Sequence, residues 1–358
     1  MNFDLSEEQE MLQATVGQFA ADQCPPTRRR AIFDGPDGHD TELWQGLLEL
    51  GLGAIAVPEE YGGAGLELLD LALVAEVLGA GAVPGPFLGH SLAGLAILYA
   101  GSDAQKKTWL PKLAAGELLG TVAFAEGDGR WQPDEWTIDS GAALDGGKAH
   151  VPFGEHADLF VVGTRGGGLA LCERGARGLS LERLRGIDRT RRISSLRLSG
   201  TPCDVLPGGP TAAARVRDAA LVMLAADAFG GAATLLDLSV EYAKTRQQFG
   251  VTIGSFQALK HQLASMAVEV EPARALYWYA AHAFDRIPEE SERSAALAKA
   301  HLTQVYTQVA RDAVEAHGGI GFTWECDVQI YFKRALFDRA FLGTPVVHRE
   351  RAAVLAGW

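Results

Sequence analysis

Apolar residues recur along this chain in two rhythms, one of three and four residues and one of short unbroken runs. Phe3, Leu5, Met11, Leu12, Val16 and Phe19 mark one helix face. Ser6, followed by Glu7, Glu8 and Gln9, opens that helix with a cap and with acids at the positive end of its dipole. Residues 43–52 repeat the pattern, a glycine-rich loop follows at 61–65, and further helical stretches continue to about residue 120. From 121 to 205 the rhythm changes to short apolar runs at 121–125, 159–162 and 169–172, separated by Gly, Asp and Pro, which predicts strands and turns. Helical periodicity returns over 216–244, 255–284, 294–316 and 345–355, enough for a four-helix bundle. The expected architecture is mainly α with a small β-domain: helices over 1–120, strands over 121–205 and a helical bundle over 206–358.

The stretch TRQQFGVTIGSFQALKHQLASM, residues 245–266, carries a charge, a turn and an apolar helix face together. Gly250 breaks the helical pattern, and Phe256, Leu259, Leu263 and Met266 restart it as one stripe. Arg246 therefore stands at the end of one helix and Gln257 at the start of the next, where a cation and an amide can converge on an anionic group. A helical hairpin with a solvated arginine fits the same spacing. Further on, the glycines of HGGIGF at 317–322 let main-chain amides approach a phosphate or ribose with no Cβ in the way. The small residues at 225–233 suit close helix approach or a bulky ligand.

The 358 residues are 47% hydrophobic and can bury a large core. A formal charge of -13 argues against nucleic acid or an anionic membrane as partner, since both are met with basic patches. Cys24, Cys172, Cys203 and Cys326 lack metal-ligand or C-x-x-C spacing, which points to reduced thiols and a cytoplasmic setting. No apolar run reads as the roughly 18 residues needed to span a bilayer.

Arg246, Phe249, Gly250, Phe256 and Gln257, followed by HGGIGF, resemble the paired C-terminal signatures of the acyl-CoA dehydrogenase family. The likeness covers most of the chain. It implies FAD as cofactor, an acyl-CoA substrate and an electron-transfer flavoprotein-like acceptor. In the family the arginine and glutamine hold the adenine and pyrophosphate end of an FAD whose ring lies in a neighbouring subunit. Carried over residue by residue, the cofactor-binding set is Arg246, Phe249, Gln257, Glu315, His317, Gly318, Gly319 and Thr344, with Glu315 in place of the usual glutamine. The loop at 61–65 matches the pattern that closes one end of the acyl cleft. Trp131, Trp136, Trp278 and Trp324 read as core or interface residues, with Trp324 nearest the nucleotide.

The departures from the family are concentrated in the chemistry. The glutamate base of this family has two placements, and here they fall on Leu342 and Ala220; neither can take a proton. Asp218 and Asp227 are the nearest carboxylates in sequence on that helix. The segment that contacts the flavin ring reads AEGD at 125–128, and the one beneath it reads His150, Val151, Pro152. Proline has no N–H to offer and alanine no hydroxyl. This pattern resembles the subunit lacking the glutamate in heterotetrameric acyl-CoA dehydrogenases of actinobacterial steroid side-chain degradation, so a homologous partner subunit is implied. A non-catalytic paralogue and a homo-oligomer with an atypical base are the alternatives.

Overall fold

The computed structural model describes residues 4–358; Phe3, assigned to the first helix face, lies outside them. Six helices come first: α1 (Glu7–Gln23), α2 (Pro26–Asp34), α3 (Thr41–Glu49), α4 (Leu68–Ala80), α5 (Phe87–Ala100) and α6 (Asp103–Ala114). Ser6 and Gln9 close the capping box of α1, and Ser102 and Gln105 do the same for α6. On α1, Val16 and Ala20 are buried, while Met11 is exposed instead of packed.

Seven strands follow: β1 (Gly120–Ala123), β2 (Ala143–Pro152), β3 (Leu159–Thr164), β4 (Gly168–Glu173), β5 (Leu179–Arg183), β6 (Ile193–Pro202) and β7 (Asp204–Leu206). They form one sheet in the order β1-β3-β4-β7 and another in the order β2-β6-β5. Among the described residues only β1 and β3 run parallel. The alternate residues of both sheets meet in one apolar core of Ala123, Leu144, Val151, Phe160, Val162, Ala170, Cys172, Leu196 and Leu198.

Beyond residue 208 come α7 (Gly209–Thr245), a two-residue hairpin of β8 (Gln247–Gln248) and β9 (Val251–Thr252), and then α8 (Gln257–Val270), α9 (Arg274–Arg286), α10 (Pro288–His317), α11 (Val328–Ala340) and α12 (Pro345–Leu355). That is six helices where the periodicity predicted four. The expected helix over 255–284 is split by a 3₁₀ turn at Glu271–Ala273, where Pro272 lacks the amide a continuous α-helix needs. The other unexpected helix, α11, was hidden because Arg334 and Asp338 share its buried face with Tyr331 and Ala335, so no apolar stripe marks it. Helix α7 is long and apolar enough to cross a membrane, with 89% of its apolar window buried in the structure, as befits a core helix. This corrects the expectation that no segment of that length and composition exists.

By packing, the chain forms two compact units. One comprises residues up to Ala31, Ala72–Val83 and Leu221–Trp358; the other comprises Ile32–Leu71 and Pro84–Ala220. In the first unit the small residues of α7 serve close helix approach. A Cβ on Gly230 would lie 2.0 Å from the Glu76 carbonyl oxygen, and one on Gly79 would lie 2.3 Å from that of Asp227. Neither backbone can give way, so α4 and α7 cross with main chain against main chain.

Candidate functional site

The first of the two signature segments is set by a tight hairpin. Helix α7 ends at Thr245, Gln247 pairs with Thr252, and Gln248 pairs with Val251. Phe249 (φ 54°) and Gly250 (φ 80°) make the two-residue turn, both in the left-handed region that such a turn requires. The amide of Ile253 donates to the Arg246 carbonyl (2.8 Å), folding the chain back so that α8 starts at Gln257. Phe256 is the N-cap of α8 and its side chain makes no capping bond, so the positive end of that helix is left to solvent among the described residues. Arg246 and Gln257 are both exposed. Phe249 is 91% exposed and meets Phe256 edge-to-face at 6.1 Å. Of the predicted stripe on α8, Met266 is buried, while Leu259 and Leu263 are half-buried and Phe256 is exposed.

The second segment is brought to the first by two contacts. Tyr242, whose carbonyl accepts from the Arg246 amide (2.9 Å), stacks its ring on His317 at 4.5 Å and 19°. The Gln262 side chain reaches Glu315 at 3.5 Å. His317 Nδ1 donates to the Ala313 carbonyl (2.7 Å), and burial lowers its pKa, so a neutral ring is held on both sides. This histidine is a packed and hydrogen-bonded support for the glycines after it. A Cβ at Gly318 or Gly319 would meet nothing within 4 Å, so the turn leaves open space beside its backbone. Ile320, Phe322 and Trp324 are exposed, with Lys333 Nζ over the Trp324 ring at 3.8 Å. Trp324 is thus a surface residue and not part of the core. Thr344 is an exposed N-cap whose hydroxyl makes no capping bond to α12 among the described residues. Tyr242 was missed in the sequence, although its place four residues before Arg246 puts the two on one helix face.

In the other unit, the Ala149 amide donates to the Ala125 carbonyl (2.8 Å), so the segments AEGD and His150–Val151–Pro152 lie side by side. A register shift in β2 between Lys148 and Val151 leaves His150 in the left-handed region (φ 55°). Its ring stacks on Trp131 at 5.4 Å and 28°. Beneath the loop, Lys148 is fully buried, donates to Glu126 (2.8 Å) and lies over Trp136. Burial lowers Lys148 to about 8; Glu126, which burial would raise, is held at about 2 by Lys148 and Thr137. The pair is charged at neutral pH.

Two family models match the chain, the N-terminal domain of acyl-CoA dehydrogenases over residues 6–117 and the C-terminal domain over 214–354. An acyl-CoA dehydrogenase named IpdE2 from Mycolicibacterium smegmatis is 36% identical over 95% of this chain and 96% of its own length. The chain belongs to the acyl-CoA dehydrogenase family. Another protein of the same name, from Mycobacterium tuberculosis, is 37% identical over 95% of this chain and 94% of its own. Among solved structures, the Tcur3481-Tcur3483 steroid ACAD superposes with a TM-score of 0.90 at 31% identity, covering 98% of each chain. The ChsE4-ChsE5 complex from Mycobacterium tuberculosis gives 0.90 at 26%, covering 100% of this chain and 99% of that one. The protein is therefore an FAD-dependent acyl-CoA oxidoreductase of helical, β and helical segments in that order.

In the first unit of this acyl-CoA dehydrogenase, an exposed cation, an exposed amide, an uncapped helix start and an open glycine turn lie on two segments joined by the Tyr242–His317 and Gln262–Glu315 contacts. Its base positions are empty of acids. Leu342 is buried, with φ 61°, and its carbonyl oxygen lies 3.0 Å from His348 Nε2. Ala220 and Leu221 are wholly buried in α7. Both candidate aspartates are already committed. Asp218 is buried and accepts from Arg217 Nε at 3.0 Å. Asp227 takes a two-pronged bond from buried Arg334, at 2.8 and 2.6 Å, while Arg334 also donates to the Val83 carbonyl. The Asp227→Asn variant is expected to lose about 3–5 kcal/mol of stability, because it strands a buried guanidinium. Thermal denaturation checks it: an unchanged melting temperature with a fall in turnover would instead make Asp227 a base.

Proposed function

We propose that this chain is one of two unlike subunits of an acyl-CoA dehydrogenase, supplying the nucleotide-binding half of an FAD site shared across a subunit interface. A homologous partner subunit supplies the carboxylate base and the ring platform. The observation that carries this is the asymmetry between the two halves. Arg246, Gln257 and the turn at Gly318 and Gly319 are displayed outward, whereas both base positions hold buried apolar side chains. The supporting surface is apolar: Phe249, Phe256, Ile320, Phe322 and Trp324 are all exposed beside these groups in sequence, which suits a face that another chain covers. Two solved relatives carry paired names, one printed as a complex and the other as a steroid ACAD. We extend this to the substrate, an acyl-CoA thioester of steroid side-chain type, with an electron-transfer flavoprotein-like acceptor in the cytoplasm.

In the reaction an α-proton goes to a carboxylate while a hydride leaves the β-carbon; FAD, when bound, accepts the hydride. This chain's residues take no part in the proton step. Arg246 anchors negative charge, Gln257 offers both a donor and an acceptor, and the glycine turn brings amides close to the nucleotide. Phe249 extends its ring from the hairpin tip toward the covering chain.

Replacing Arg246 by Ala removes a charge-assisted contact, so flavin retention by the folded complex is expected to fall about tenfold or more. Full flavin content in that variant would contradict the assignment. Turnover supplies the second test. The isolated chain is expected not to dehydrogenate any thioester, while the mixed complex does, since a lost general base costs on the order of 10² to 10⁴ in rate. Dye-linked oxidation of straight-chain and steroid side-chain thioesters separates the cases. Turnover by the isolated chain would reject the shared site. Flavin binding without turnover by the complex would favour a non-catalytic paralogue.

A further inference from the structure

The glycine turn after His317 is held by little of its own. Among the described residues 318–327, Gly321 alone is buried, seated so that a Cβ there would lie 2.6 Å from the Val314 carbonyl oxygen. Gly318 takes a backbone (φ 64°, ψ -141°) that residues with a Cβ avoid. The bonds that follow are local: the Thr323 amide donates to the Ile320 carbonyl (2.9 Å) and the Cys326 amide to the Thr323 carbonyl (3.4 Å). A segment that fully buries no side chain is not fixed by core packing, so its geometry depends on what grips its two ends. His317, stacked on Tyr242, grips the first. Asp327 grips the second. One of its carboxylate oxygens accepts from Arg29 Nη2 (2.7 Å) and the other from Arg30 Nε (2.5 Å).

Arg29 is itself fastened. Its Nη1 donates to the Gly81 carbonyl (2.8 Å), its guanidinium lies over the Tyr331 ring at 5.5 Å, and the Tyr331 hydroxyl donates to the Ala80 carbonyl (2.7 Å). These two carbonyls stand at and just past the end of α4, where a cation also suits the helix dipole. Side-chain exposures of 8% for Arg29 and 14% for Asp327 set their bond apart from a surface ion pair, which contributes little, while Arg30, at 41%, is the screened member.

We propose that Asp327, gripped by Arg29 and Arg30, is a positioning residue for the nucleotide of FAD: by fixing the far end of the turn, it holds the Gly318 and Gly319 amides in one arrangement. The proposal rests on the nucleotide-half reading and deepens it. Asp327 acts through the turn and not by touching the cofactor. A turn already ordered pays less entropy on binding, so the clamp shows as affinity. It also gives the basic run at 28–30 a task, since two of its three arginines hold a residue almost 300 positions further along the chain.

The test uses the assembled complex, stripped of flavin and titrated with FAD by fluorescence quenching, with its melting temperature measured in the absence of FAD. Asp327→Asn keeps an acceptor for Arg29 but removes the charge, and should weaken FAD binding about tenfold. Arg30→Gln should weaken it about threefold, and Arg30→Lys, which keeps a cation beside Asp327, should restore most of that loss. Combining Arg30→Gln with Asp327→Asn should cost no more than Asp327→Asn alone, because the groups act as one clamp. A merely structural bridge would lower the melting temperature and leave the FAD dissociation constant within about twofold of wild type. That result, or full additivity in the double variant, would overturn the proposal. If Asp327→Asn does not fold, as judged by circular dichroism, Arg30→Gln and Arg30→Lys carry the same expectation. Arg246→Ala separates this proposal from the reading beneath it. Affinity lost in Arg246→Ala alone removes the role of the clamp and keeps the nucleotide assignment, whereas no loss in any variant rejects the assignment itself.

Discussion

The stacking of Tyr242 on His317 is the contact on which the functional end of this chain depends. The two signature segments are some 70 residues apart in sequence, on different helices, and neither alone makes more than a turn. With the rings 4.5 Å apart and nearly parallel, the end of α7 is fixed against the end of α10. The Arg246 amide is tied to Tyr242, and the glycine turn begins directly after His317. A neutral imidazole serves this purpose: burial keeps it uncharged, and its Nδ1–H is held by Ala313, which fixes the ring plane. An aromatic pair of this kind contributes about 0.5–1.5 kcal/mol beyond its area. That is enough to hold a turn in place while leaving the turn's own backbone open to a ligand.

Charge in the interior of this unit has a structural task. Arg334 is held by both oxygens of Asp227 and by the Val83 carbonyl, and Lys299 donates to the Asp338 carbonyl in a wholly buried setting. Burial lowers Lys299 to about 7. These groups join α7, α10 and α11 where the backbones of α4 and α7 are already in contact through Gly79 and Gly230. The carboxylates that sequence proximity offered as bases are the ones the packing uses most fully. A catalytic base needs an accessible lone pair at the substrate, and the bidentate bond from Arg334 removes that from Asp227.

Much of this was legible in the sequence, and what was not has identifiable causes. The helix–turn–helix around Gly250 and the strands of the middle segment could be read from residue type and spacing alone, because glycine and short β runs each carry a local signal, whereas the apolar base positions at Leu342 and Ala220 could be placed only through the family resemblance. Helix α11 could not, since its buried face includes Arg334 and Asp338 and its apolar period is broken. The break at Pro272 was passed over because the flanking periodicity runs through it. Trp131 reads as core or interface and is half-buried, its ring stacked on His150 beside a β2 bulge that no hydrophobic pattern marks. The role of Tyr242 is a property of the folded chain and emerges only there.

Hydrogen–deuterium exchange on the assembled complex, with and without FAD, tests the division of labour most directly, since it reports amide protection on each chain separately. FAD is expected to protect residues 246–257 and 317–323 of this chain and to leave its residues 125–132 and 148–152 unchanged. The matching β-domain segments of the partner should gain protection in the same experiment. Protection of 125–132 and 148–152 in this chain, with none at Arg246 or Gly318, would contradict the assignment of the nucleotide half to this subunit.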